Sequence, residues 1–172
     1  MSEKLGPAFN RLFSASVISN LSDGLLAVAA PLLAISLTKD PVLISLLSAC
    51  VMLPWLLFAI PIGLIVDRSN KRLLITFTNS MRFITAGLVA LAISTDTITI
   101  YWLLLATFII GTCEVATDTA TQSLIPVILE KKNFEKANSR LNIAETVIQN
   151  FIGAPLSGFL YASAIVLPFV LN

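Results

Sequence analysis

The sequence contains no histidine among its 172 residues. That removes imidazole general acid–base catalysis, histidine-based triads and most metal sites. Charge is scarce as well: 12% of residues are Asp, Glu, Lys or Arg, against about 25% in an ordinary soluble domain. Half the usual charge cannot coat a surface that faces water. Disorder is excluded for the complementary reason, because it needs low hydrophobicity. Neither sign of charge is in excess, with 11 basic and 10 acidic residues, so nothing points to a nucleic-acid partner. The two cysteines, Cys50 and Cys113, both sit in apolar runs and read as small buried hydrophobes rather than as a disulfide.

Apolar residues fill the space left by charge. They make up 56% of the chain, and the mean hydropathy is +0.90. A helix needs about 20 apolar residues to cross a bilayer core of about 30 Å. Five runs qualify: residues 12–37, 42–66, 73–94, 98–125 and 141–163. Residues 164–172 are apolar again and read as the start of a sixth. The runs are continuous, unlike the alternating strands of about ten residues in a membrane barrel. The first run is longer than the roughly 7–15 apolar residues of a cleaved signal peptide, so it is expected to remain as the first span. The expected fold class is all-α: a polytopic membrane protein, one domain over residues 1–172, with five complete transmembrane helices and the start of a sixth.

Basic residues orient the spans, because cytoplasmic loops carry the Lys/Arg excess. With the N-terminus inside, the inner segments hold Lys4, Arg11, Arg68, Lys71, Arg72, Lys131, Lys132, Lys136 and Arg140, and the outer loops hold only Lys39. The N-terminus is thus expected to be cytoplasmic; the expected location is the plasma (cytoplasmic, or cell inner) membrane, with the lipid bilayer as its first partner. The outer connections at 38–41 and 95–97 are short enough to make antiparallel hairpins. Between Pro126 and Arg140, apolar Ile128, Leu129, Phe134 and Ala137 among charges suggest a short interfacial helix.

Ionisable residues inside the spans are costly at about 2.5–3.5 kcal/mol each on insertion scales and normally face protein or a water-filled cavity. At about 1.5 Å of rise per residue, Asn20, Asp23, Arg82, Glu114, Asp118, Gln149 and Asn150 come to a common depth of roughly 12–18 Å from the inner side. Ser16, Asn20 and Asp23 share a stripe on the first helix, Thr78, Arg82 and Thr85 on the third, and Glu114 and Asp118 a face on the fourth. The tight hairpin of the third and fourth spans predicts that Arg82 pairs with Glu114 or Asp118. Three carboxylates then face one guanidinium. Carboxylates without a cationic partner in a low-dielectric layer can take up and release protons, which is the chemistry of a proton-coupled or cation-binding carrier. Arg82 with one acid can equally be structural glue, and Gln149 and Asn150 can simply bond neighbouring helices. Glu145 lies near the inner surface as an interfacial charge or cap.

The loop between the second and third spans reads Gly63-Leu-Ile-Val-Asp67-Arg68-Ser-Asn70-Lys71-Arg72. It closely resembles the signature loop of the major facilitator superfamily, G-x-L-a-D-r-x-G-r-k, with Gly63, Asp67, Arg68, Lys71 and Arg72 in register. Asn70 replaces the second glycine; asparagine tolerates a left-handed backbone best after glycine, so a left-handed turn is expected there. Ile152-Gly153-Ala154-Pro155-Leu156-Ser157-Gly158 resembles the Gly-Pro-rich helix-five segment of proton-linked drug exporters in that superfamily. Its small residues allow close helix approach, and Pro155 frees a carbonyl. The pattern Asn20-Leu-Ser-Asp23-Gly24 before Pro31, and the stretch 114–138, are similar to the siderophore and macrolide exporter branch.

The resemblance implies the N-terminal portion of a twelve-helix secondary transporter working by alternating access, and not an enzyme. It implies no catalytic residue, no bound metal and no cofactor beyond a proton gradient as the energy source. The loop residues Gly63, Asp67, Arg68, Lys71 and Arg72 would form an inner gate, Lys71 or Arg72 pairing with Asp118. Asn20, Asp23, Arg82, Glu114, Asp118 and Asn150 would line the proton and substrate cavity, with Asp23 or Glu114 carrying the proton. Gly153, Pro155 and Gly158 would form the helix-five packing motif. The implied activity is proton-coupled export of a small drug- or siderophore-like molecule. The C-terminal half is expected in the same polypeptide or in a second chain; the alternative is a non-transporting fragment or a half-carrier that needs a partner.

Overall fold

The computed structural model describes residues 5–171, so Lys4 and Asn172 lie outside the described residues. The described chain is helical nearly throughout. Helix α1 spans Gly6–Leu37, α2 Pro41–Arg68, α3 Lys71–Ser94 and α4 Ile100–Ile128. A 3-10 turn at Lys131–Asn133 leads into α5, Phe134–Glu145. A π-helical stretch, Thr146–Gly153, joins α5 to α6, Ala154–Ser163, and a last turn, α7, covers Leu167–Val170.

The helix ends have local causes. Asp40 caps α2 by accepting the N–H of Val42, with Pro41 in the first turn, where proline's missing N–H costs nothing. Thr99 caps α4 by accepting from Trp102. After α3 the chain closes in a Schellman turn: Thr97 N–H bonds Ala92 C=O at 2.9 Å, Asp96 N–H bonds Ile93 C=O at 3.2 Å, and Asp96 takes the left-handed conformation with φ 53°.

Helices α1 to α4 are each long and apolar enough to cross a membrane. The side chains that face outward are large and apolar, such as Leu56 and Ile60 on α2, Phe83 on α3 and Phe151 and Phe159 further on. A soluble protein does not carry such a continuous apolar exterior, whereas a bilayer requires one. Residues 134–163 are helical without a gap, in three stretches of different winding. The stretch between 126 and 140 differs from the expected interfacial helix. Helix α4 runs through Pro126 to Ile128, and the next α-helix starts at Phe134 and continues into the π-helical stretch. Phe134 is half-buried against Leu5, Phe9, Ile125, Ala137 and Leu141, so this segment closes the end of the bundle where α1 begins.

Helices α2 and α3 flank α4 along most of its length, while α1 packs against the π-helical stretch and α6. At one end, Ala29, Leu33, Leu47, Val89, Leu103 and Phe169 form the largest apolar core. Nearer the other end, Ile62, Val66, Val115 and Ala120 form a smaller one. The polar layer lies between these cores.

Candidate functional site

The site is built on α1, because its inward stripe carries the polar groups. Asn20 and Asp23 are both buried at 8% exposure, and Asn20 donates to Ser16 Oγ at 3.3 Å. The Arg82 guanidinium, 4% exposed, reaches across from α3. It donates through Nη2 to Asp23 Oδ1 and through Nη1 to Ser19 Oγ at 2.9 Å. This corrects the expected pairing of Arg82 with Glu114 or Asp118. Adjacency in the hairpin does not decide the partner. Thr78, one turn before Arg82, bonds Thr117 of α4 at 2.7 Å through the two hydroxyls. The short threonines fill the α3–α4 contact, and the long arginine extends past α4 to the acid on α1.

Glu114 and Asp118 are consequently left with no hydrogen bond or salt bridge among the described residues. Both are half-buried. The charged groups that act on Glu114 are Asp23, Asp118, Arg82 and Glu145, so three of four are acids. Glu114 and Asp23 stand on the wall of a cavity of about 320 Å³ between α1, α2, α3 and α4. Asp118, one turn along α4, is not on that wall, and it makes no ion pair with Lys71 or Arg72.

The segment 141–163 differs from expectation at two positions. Asn150 is exposed, while its neighbour Gln149 lines the cavity. The π-helical winding accounts for this: an i→i+5 ladder, seen in the Ala154 N–H bond to Gln149 C=O, turns the register relative to an α-helix. Pro155 follows this stretch in the first turn of α6, where its lack of an N–H and its clash with the carbonyl four residues back suit the wider turn. Gly153 meets Gly24 of α1 with the two backbones in contact: a methyl on either glycine would lie 2.9 Å from the other's Cα. Ser157, fully buried, adds a bond to Leu25 C=O at 2.5 Å. Gly158 takes no part in this crossing, because a methyl there would meet nothing within 4 Å.

The loop residues stand where α2 ends and α3 begins. Asp67, Arg68 and Arg72 are exposed and Lys71 is half-buried. A methyl on Gly63 would also meet nothing within 4 Å. Asn70 is not left-handed. Its φ is −71°, and its side chain caps α3 by accepting from Arg72 and Leu73. Asparagine stands there as an N-cap.

Membership follows from the whole length of the chain. A family model described as Major Facilitator Superfamily matches residues 12–172. The chain belongs to the major facilitator superfamily. No curated protein and no solved structure matches it. As a major facilitator protein it is an integral membrane protein of a transporter family, which accounts for its apolar exterior. Within this major facilitator bundle, sequence reasoning missed Ser19 and Thr117, and it named Gly24 and Gln149 without placing the one at the crossing with Gly153 or the other on the cavity wall. Ser19 is four residues before Asp23 and on its face, and Gly24 lies at the depth of Gly153; both signals were present in the spacing. The facing of Gln149 depends on the π-helical register, which the sequence pattern does not encode.

Proposed function

We propose that the chain is the N-terminal part of a secondary active transporter that exports a small molecule by alternating access in exchange for protons. The N-terminus is cytoplasmic, residues 134–163 form the fifth crossing, and α7 opens a sixth. The observation that carries this reading is the Glu114 carboxylate. It stands on the cavity wall without a salt-bridge partner among the described residues, whereas Asp23 beside it is held by Arg82. Glu114 therefore exchanges the coupled proton, and the Arg82–Asp23–Ser19 set holds α1 and α3 in place. The exposed Asp67, Arg68 and Arg72 and the half-buried Lys71, with Gly63 on the open face of α2, work as the inner gate against the C-terminal half.

The test uses everted vesicles of membranes that contain the full-length protein and a panel of lipophilic fluorescent dyes. A proton gradient should drive dye accumulation in the wild type and not in Glu114→Gln. Gradient-driven accumulation at the wild-type level in Glu114→Gln contradicts the assignment. Vesicles that move none of the dyes, with or without a gradient, favour a non-transporting chain or a half-carrier awaiting its partner.

A further inference from the structure

The cavity is uneven in its chemistry. One end carries the carboxylates of Asp23 and Glu114 and the amide of Gln149; most of the remaining wall is aliphatic, and Phe169 contributes an aromatic ring. The nearest cation does not serve this space. Arg82 is absent from the wall and is engaged by Asp23 and Ser19. A further acceptor comes from α1 itself. Pro31 has no N–H to give the carbonyl of Ala27, and both residues are on the wall, one and two turns beyond Asp23. The site therefore offers oxygen acceptors with a carboxylate at one end and an apolar chamber beyond. A neutral apolar solute would leave those acceptors unpaired, and an anion would meet carboxylates. A volume of about 320 Å³ is about ten waters' worth at about 30 Å³ each, which suits a compact ligand of one ring and a small head.

We infer that this cavity binds an organic cation with an apolar body, its charged head against Glu114 and Asp23 and its body among the aliphatic side chains. The inference rests on reading this cavity as the transport site and adds the class of molecule it takes. In the exchange, the cationic head enters as the proton leaves Glu114, so the carboxylate is neutralised in both states and never stands bare in the low-dielectric layer.

The experiment is calorimetric titration of the purified full-length protein in detergent with three probes of one shape. These are benzyltrimethylammonium, its neutral isostere neopentylbenzene and the anion phenylmethanesulfonate, each corrected against micelles alone. Benzyltrimethylammonium should bind at least tenfold tighter than either of the others. Glu114→Gln should remove that preference, and Ala27→Phe, which adds bulk to the chamber and changes no charge, should weaken binding of the cation. Equal binding of the cation and its isostere, preference for the anion, or no binding of the cation overturns the inference, as does unchanged binding in both variants. Binding with this preference, but without gradient-driven transport in vesicles, leaves the inference standing and sinks the carrier reading. Coupled transport of neutral or anionic dyes alone does the reverse.

Discussion

Asp23 and Glu114 are two carboxylates on one cavity wall, and the molecule treats them differently. Asp23 belongs to a closed set: the guanidinium of Arg82 is shared between it and Ser19, all between α1 and α3. Glu114, one helix away, has no hydrogen bond or salt bridge among the described residues. Position in the sequence does not separate the two, since both are acids within apolar runs at similar depth. Partners do. A satisfied buried pair holds geometry, and an acid whose cationic partner is taken by a neighbour is free to do chemistry.

The strongest way to break this contrast is to remove the cation. Arg82→Met leaves Asp23 buried and uncompensated, which should cost about 3–5 kcal/mol and lower the thermal unfolding temperature in detergent. Adding Asp23→Leu should recover much of that loss, since an apolar pair can replace a buried ion pair. A single variant as stable as the wild type would show that the pair holds nothing together.

The next effect tests how firmly α1 is held on its other side. Gly24→Val places a side chain against the backbone of Gly153 and should cost about 1–3 kcal/mol as the helices part. Gly158→Ala, with open space around it, should be neutral or stabilising by about 0.4–1 kcal/mol. Similar losses in both would mean that the crossing is not where the backbones touch.

The smallest effect belongs to the loop between α2 and α3. Asn70→Ala should cost about 1 kcal/mol through loss of the cap, and Asn70→Gly only a few tenths. A gain in stability with glycine would restore the left-handed turn that the signature comparison suggests, against the extended backbone seen at this position.

Much of the fold was legible because the membrane leaves few options. Long apolar runs can only be helices there, and α1 to α4 emerge as helices of membrane-crossing length. Their ends shift by a few residues, because caps such as Asn70 and Asp40, rather than the edge of the apolar run, decide where a helix starts. The polar layer was legible as a layer, from charges counted along each helix. Its pairing was not. Which acid Arg82 meets depends on Thr78 and Thr117 bringing α3 and α4 close and on the reach of a long side chain past its neighbour. The exchange of Asn150 for Gln149 on the wall comes from a π-helical winding that no spacing rule for α-helices anticipates.

The division between Asp23 and Glu114 is tested most directly by proton release on ligand binding. Benzyltrimethylammonium would be added to the purified full-length protein in weakly buffered detergent solution, with a pH indicator reading the protons set free. Protons should be released from the wild type and none from Glu114→Gln. Equal release from the two would place the exchanged proton on another group and contradict the division between the paired Asp23 and the unpaired Glu114.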